Sequence, residues 1–149
     1  MTPFESPSDL FHNRGLIADP SAFAEEHGAA SWLFLCGEAF ASMEGGMSYA
    51  DVQAAVPQSA NVVSDPPVAL DMDLARRQIA ELEKLPRPTL VTCRTGPRSG
   101  ALVYLYSGLK AGASADDVIA RAQSDGEPWV QSDEIAAWVR QGLDELAPG

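Results

Sequence analysis

Residues Thr89 to Leu109 read TLVTCRTGPRSGALVYLYSGL, and the rest of the chain is organised around this stretch. A short β-rich apolar run ends at Cys93, a six-residue turn carrying Gly96 and Pro97 follows, and an apolar segment of helical length begins near Ser99. A strand, a tight loop and a helix in this order aim the loop amides and the helix N-terminus at one spot, with Cys93 beside it. Unpaired N–H groups at a helix start favour anions, and arginines in the same loop add permanent charge with a planar donor fork. The same field favours a thiolate, since helix N-termini and neighbouring cations bring a thiol from about 8.5 down to roughly 3.5–7.5. Cys93 is therefore expected to be a nucleophile at neutral pH, with Arg94 and Arg98 available to hold what it attacks or carries. The competing reading is a buried structural cysteine at a strand end. Gly96, the two arginines and Ser99 all favour the reactive one.

Composition bounds what surrounds the loop. The chain has 149 residues, 46% of them hydrophobic and 7% aromatic, which suits one globular domain with a real core, here 1–149 with 1–9 as a loose lead-in. A formal charge of −11 argues against nucleic acid or an anionic membrane over a broad surface. Yet Arg76, Arg77, Lys84, Arg87, Arg94 and Arg98 cluster around the loop, either as a local positive rim or as the wet face of a helix. Cys36 and Cys93 are too far apart for a disulfide framework or a metal site, and His12 and His27 lack ligand-like spacing, so no metal and no cofactor is expected. No stretch is long and apolar enough to span a bilayer and no signal pattern opens the chain, so a cytoplasmic setting is expected.

Along the chain, Leu10 to Ile17 reads as a short edge strand or hairpin, Asp19-Pro20-Ser21 as a helix start, and Trp32 to Cys36 as a buried parallel strand. Ser48 caps a helix over Tyr49 to Val56, Asn61 to Val63 is a short strand, and the Asp65-Pro66-Pro67 turn leads to Val68 through Met72. An amphipathic helix runs from Asp73 to Pro86, and capped helices start at Ser114 and Ser132. Strands separated by helices imply an α/β architecture: a mostly parallel sheet of about four to five strands with helices on both faces. Ligands in such sheets bind beyond the carboxyl ends of the strands, where Cys36 and Cys93 would both emerge.

Cys93-Arg94-Thr95-Gly96-Pro97-Arg98-Ser99 resembles the C-R-[ST]-G-x-R-S loop of two families: the single-domain rhodaneses and the phosphatase-like domain of beta-lactamase-hydrolase-like proteins. The second belongs to the cysteine-dependent tyrosine and dual-specificity phosphatases, whose usual signature has five residues between Cys and Arg rather than the four here. Its helix and strand order, including Pro67-Val68 before the acid loop, can be laid along most of the chain, which implies a tyrosine-phosphatase-like three-layer fold. The resemblance implies Cys93 as nucleophile, Arg98 as oxyanion clamp, Ser99 as the hydroxyl that eases the thiolate out as leaving group, and Arg94, Thr95, Gly96 and Pro97 as the anion-binding loop. It also implies a general acid, nearest to Asp71, with Asp65 and Asp73 as rivals.

Pro97 removes one N–H from the cradle, and the shorter loop suits a small sulfur or a loosely held oxyanion. Three functions stay open on these residues: phosphomonoester hydrolysis through a phosphocysteine, sulfane-sulfur transfer through a Cys93 persulfide, and anion or partner binding with little turnover. The expected partner is a small anionic substrate, a phosphoester or a sulfane-sulfur donor. Cys36 is either an apolar filler or a redox partner that traps an oxidised Cys93 as a disulfide.

Overall fold

The computed structural model describes residues 4–65 and 68–147. Four strands, β1 (Leu10–His12), β2 (Ser31–Phe34), β3 (Gln58–Asn61) and β4 (Thr89–Thr92), form one sheet in the order β1-β4-β2-β3. All three pairings are parallel, with Val91 opposite both His12 and Leu33, and Phe34 opposite both Asn61 and Thr92. The expectation of a mostly parallel sheet in an α/β fold holds.

Every side chain of β2 and β4 is buried, as two-sided burial of a central parallel strand requires. Side-chain alternation then sorts the helices. On one face, Phe23 of α1 (Pro20–Glu26) lies 6.0 Å from Trp32, and Tyr49 of α2 (Tyr49–Ala55) stacks 6.3 Å from Phe34. Trp32 also donates its indole N–H to Thr92 Oγ1 at 2.8 Å, so Thr92 points to that side and Val91 and Cys93 to the other. There α4 (Pro97–Ala111) packs among α3 (Met72–Lys84), α5 (Ala115–Ser124) and α6 (Asp133–Leu146).

Helix α4 is buried along almost every turn from Ser99 to Tyr106, the pattern of a helix inside a core rather than on it. Two glycines set how closely α6 approaches it. A Cβ on Gly142 would fall 2.8 Å from Leu105, and one on Gly108 2.9 Å from Leu143. The helix starts are capped as their residues suggest: Asp19, Ser114 and Ser132 each accept an N–H from the first turn, and Ser48 forms a reciprocal capping box with Asp51.

Several expectations shift. The first strand stops at His12, because Asn13 turns its side chain into the neighbouring loop rather than continuing the ladder. The third strand lies at Gln58–Asn61, earlier than Asn61 to Val63. Helix α4 begins at Pro97, since proline is preset for the first helical position. Residues 4–9 are not a loose lead-in: Phe4 is buried against Tyr104, and Ser6 donates to Asp125 at 2.6 Å. Pro67, half of the Pro67-Val68 pair, lies outside the described residues.

Candidate active site

Cys93 is the first residue beyond β4, and its sulfur faces the start of α4. Sγ accepts the Gly96 N–H at 3.1 Å and the Ser99 N–H at 3.4 Å, with Ser99 Oγ also at 3.4 Å. The sulfur thus sits in a nest of backbone donors at the positive end of a fifteen-residue helix. Gly96 makes the curl possible. Its φ is 115°, and a Cβ there would collide with the Asn13 carbonyl oxygen, so conformation and space both demand glycine. Pro97 indeed offers no N–H, but as first residue of the helix it leaves the Gly96 and Ser99 donors on either side undisturbed. Thr95 is exposed and its carbonyl accepts the Gly15 N–H at 2.7 Å, tying the loop to the segment after β1.

The two loop arginines differ. Arg94 is held by Asp65, with Nε at 3.1 Å and Nη2 at 2.9 Å from Oδ2, and the buried Asp65 also accepts the Gly37 N–H through both oxygens. This ion pair clamps the loop to the turn after β2 and occupies the guanidinium. Arg98, in the first turn of α4, has its Nε buried without a hydrogen-bond partner, and its Nη2 lies 3.9 Å from the exposed Glu134. A contact of that length to a solvated carboxylate contributes little, so Arg98 keeps donors for an anion.

The basic cluster is not a free positive rim. Arg77 pairs with Asp73, Lys84 with Glu81 and Arg87 with Asp9; among the described residues Arg76 alone of that cluster has no carboxylate within reach. Asp71 caps α3, with Oδ1 accepting the Leu74 N–H at 2.9 Å and its carbonyl accepting the Trp138 indole N–H at 2.9 Å. Trp138 lies one turn along α6 from Glu134, so Asp71 stands at the same end of the molecule as Arg98, with an exposed carboxyl. Of its rivals, Asp73 pairs with Arg77 and Asp65 is engaged by Arg94.

Cys36 follows β2 on the strand beside β4, where Leu35 donates its N–H to Thr92 at 2.9 Å. Burial pushes the Cys36 thiol up to about 12, and the negative charge of Cys93 and Asp65 adds to it against a partial offset from Arg94. Both cysteines are free and buried.

Sequence reading did not single out Asn13, which braces the loop from the β1 side, or the neighbouring Arg14–Glu127 ion pair, which ties the same turn to the segment after α5. Their one sequence signal is a polar Asn-Arg-Gly turn directly after a short strand, too common to be diagnostic. Among the described residues no His, Cys, Asp and Glu cluster could hold a metal, and no helix is long and apolar enough to cross a membrane.

No family model matches the chain, and no curated protein matches it. Solved structures do. A mutant form of Tk-PTP superposes with a TM-score of 0.68 at 12% identity, covering 94% of this chain and 93% of that one. A candidate phosphatase from Neisseria meningitidis gives 0.65 at 18% identity, covering 95% and 99%. The core catalytic domain of the PP-IP phosphatase SIW14 from S. cerevisiae gives 0.63 at 14%, covering 97% and 90%. The chain therefore has the tyrosine-phosphatase-like α/β fold, with its four parallel strands flanked by helices.

Proposed function

We propose that the chain is a cysteine-dependent phosphatase acting on small phosphomonoesters. The observation that carries this reading is the Cys93 sulfur held by the Gly96 and Ser99 amides at the N-terminus of α4, the helix whose first turn also carries Arg98 with its Nε unpartnered. The Cys93 thiolate attacks phosphorus in line as the bond to the ester oxygen breaks, and the leaving oxygen takes a proton from Asp71. Arg98 and the loop amides stabilise the equatorial oxygens in the transition state. Water then attacks the phosphocysteine, releasing phosphate and restoring the thiolate, with the Ser99 hydroxyl supporting the departing sulfur. Arg94 shapes the loop through Asp65.

The four-residue spacing and Pro97 favour a second reading, that of a rhodanese-like sulfurtransferase. There the thiolate takes the sulfane sulfur of thiosulfate, expelling sulfite, and the persulfide passes to a thiol or cyanide without a general acid. A third reading keeps the cradle as a binding site with little turnover.

Purified protein assayed against p-nitrophenyl phosphate and, separately, against thiosulfate with cyanide tests them. Phosphate release that needs both Cys93 and Asp71 supports the phosphatase. Thiocyanate formation insensitive to Asp71→Asn supports the sulfurtransferase, and failure of both in folded protein leaves binding. Cys36 keeps two readings: as an apolar filler it stays a free thiol in peroxide, and as a redox partner it displaces water from a Cys93 sulfenic acid, formed by hydrogen peroxide, to give a disulfide. A Cys36–Cys93 linked peptide after peroxide treatment, reversed by dithiothreitol, marks the redox partner, and a free Cys36 marks the filler.

A further inference from the structure

We infer that Asn13 is a positioning residue that holds the nucleophile loop in its cradle shape and keeps the single Ser99 hydroxyl proton turned away from the Cys93 sulfur. The inference rests on the reading of Cys93 as nucleophile, and on no particular substrate. Asn13 is 2% exposed and directly follows β1, the neighbour of β4 in the sheet. Its side chain does what a continued β1 would have done with its backbone: Oδ1 accepts the Cys93 N–H at 3.2 Å and Nδ2 donates to the Cys93 carbonyl at 2.9 Å. Nδ2 also reaches the Gly15 carbonyl at 2.9 Å and the Arg94 carbonyl at 3.4 Å. Only one amide orientation works. The flipped one would set an NH2 group against the Cys93 N–H and an oxygen against three carbonyls.

The same Oδ1 accepts from Ser99 Oγ at 2.9 Å. A hydroxyl has one proton, and here it has three acceptors: Asn13 Oδ1 at 2.9 Å, the Gly96 carbonyl at 3.0 Å and Cys93 Sγ at 3.4 Å. Two oxygens at ordinary hydrogen-bond length compete with one sulfur for that proton, and on this inference it sits on the oxygens, which leaves the sulfur to the backbone donors in the resting protein. The hydroxyl becomes available to sulfur only when the proton swings, as it must when the thiolate departs from a covalent intermediate. The other polar and charged groups at this end of the loop are Arg94 with its partner Asp65, Cys36 from the end of β2, and Arg98 in the first turn of α4, whose guanidinium lies 3.9 Å from Glu134. None of them joins the nucleophile loop to β1, which leaves Asn13 as the tie between the loop backbone and the hydroxyl.

The test reads Cys93 directly and needs no turnover: iodoacetamide labelling as a function of pH, with peptides resolved by mass spectrometry so that Cys36 is scored apart. Asn13→Asp keeps the shape and Oδ1 but turns a carboxylate onto three carbonyls and the thiolate. It is expected to raise the labelling midpoint by about one pH unit and to slow labelling at pH 7 about tenfold. Asn13→Ser, a milder change in case the first does not fold, keeps an acceptor and loses the amide donors. Protection of Cys93 by inorganic phosphate is expected to weaken at least about fivefold. Ser99→Ala is expected to leave the midpoint within about 0.3 of the parent, because the hydroxyl proton is not on sulfur at rest.

A folded Asn13→Asp or Asn13→Ser protein with parental midpoint and parental protection overturns the loop-holding role. A Ser99→Ala midpoint raised by a full unit overturns the proton assignment. Phosphate release absent in the parent, with these labelling shifts present, defeats the phosphatase reading and leaves this inference standing.

Discussion

Cys36 and Cys93 stand at the carboxyl ends of neighbouring parallel strands, both buried and both free, yet the protein treats them oppositely. After β2 the chain turns into the short helical stretch Glu38–Ser42, and Cys36 is left with burial and negative neighbours that hold it as a neutral thiol. After β4 the chain curls through Gly96 into α4, and Cys93 receives two backbone donors. The lesson is that the carboxyl end of a central strand only delivers a side chain to that rim of the sheet. The turn that the chain takes after the strand decides whether that side chain meets backbone donors.

The contrast can be broken at its strongest point first. Cys93→Ser is expected to lower phosphate release from p-nitrophenyl phosphate by at least about 10³-fold, measured in steady state. Arg98→Lys keeps the charge and loses the planar fork, and a fall of about 10²-fold in kcat/KM is expected. Asp71→Asn is a clean probe, because asparagine caps a helix as well as aspartate does. The melting temperature should therefore stay put while kcat for a poor leaving group falls about 10²-fold, and a parental rate would remove Asp71 from the mechanism.

Cys36→Ser carries the smallest expected effect on turnover, about twofold or less. Its signature is alkaline stability. A thiol raised from 9.0 to about 12 on folding contributes stability that is whole below pH 9 and is lost as pH rises towards 12. Urea unfolding of the parent should weaken across that window, and the serine variant should lose less of its own stability there.

Local information made much of this legible. The strand-loop-helix at Thr89 to Leu109 is contiguous, so the amide nest could be read from glycine, proline and the apolar periods alone. The helix caps at Asp19, Ser48, Ser114 and Ser132 were legible for the same reason. What could not be read is non-local. The Asp65–Arg94 pair joins two strand ends, and the Asn13 contacts bridge 80 positions of sequence to Cys93. The six clustered basic residues show the danger of reading charge along the chain: Arg87 meets Asp9 and Arg98 lies near Glu134, partners that sequence distance hides. The edge strand β1 was hard to bound because three residues show no period.

Helix α4 lies deep, and its depth governs how the loop can move. Its first turns have buried residues at Ser99, Gly100, Ala101 and Leu102, and its later ones are pressed against α6 through Gly108 and Gly142. A helix so enclosed cannot open by fraying back from the loop at its start. The amides of Leu102 to Tyr106 should exchange with deuterium only as slowly as the innermost core does, because exposing them requires the whole molecule to come apart.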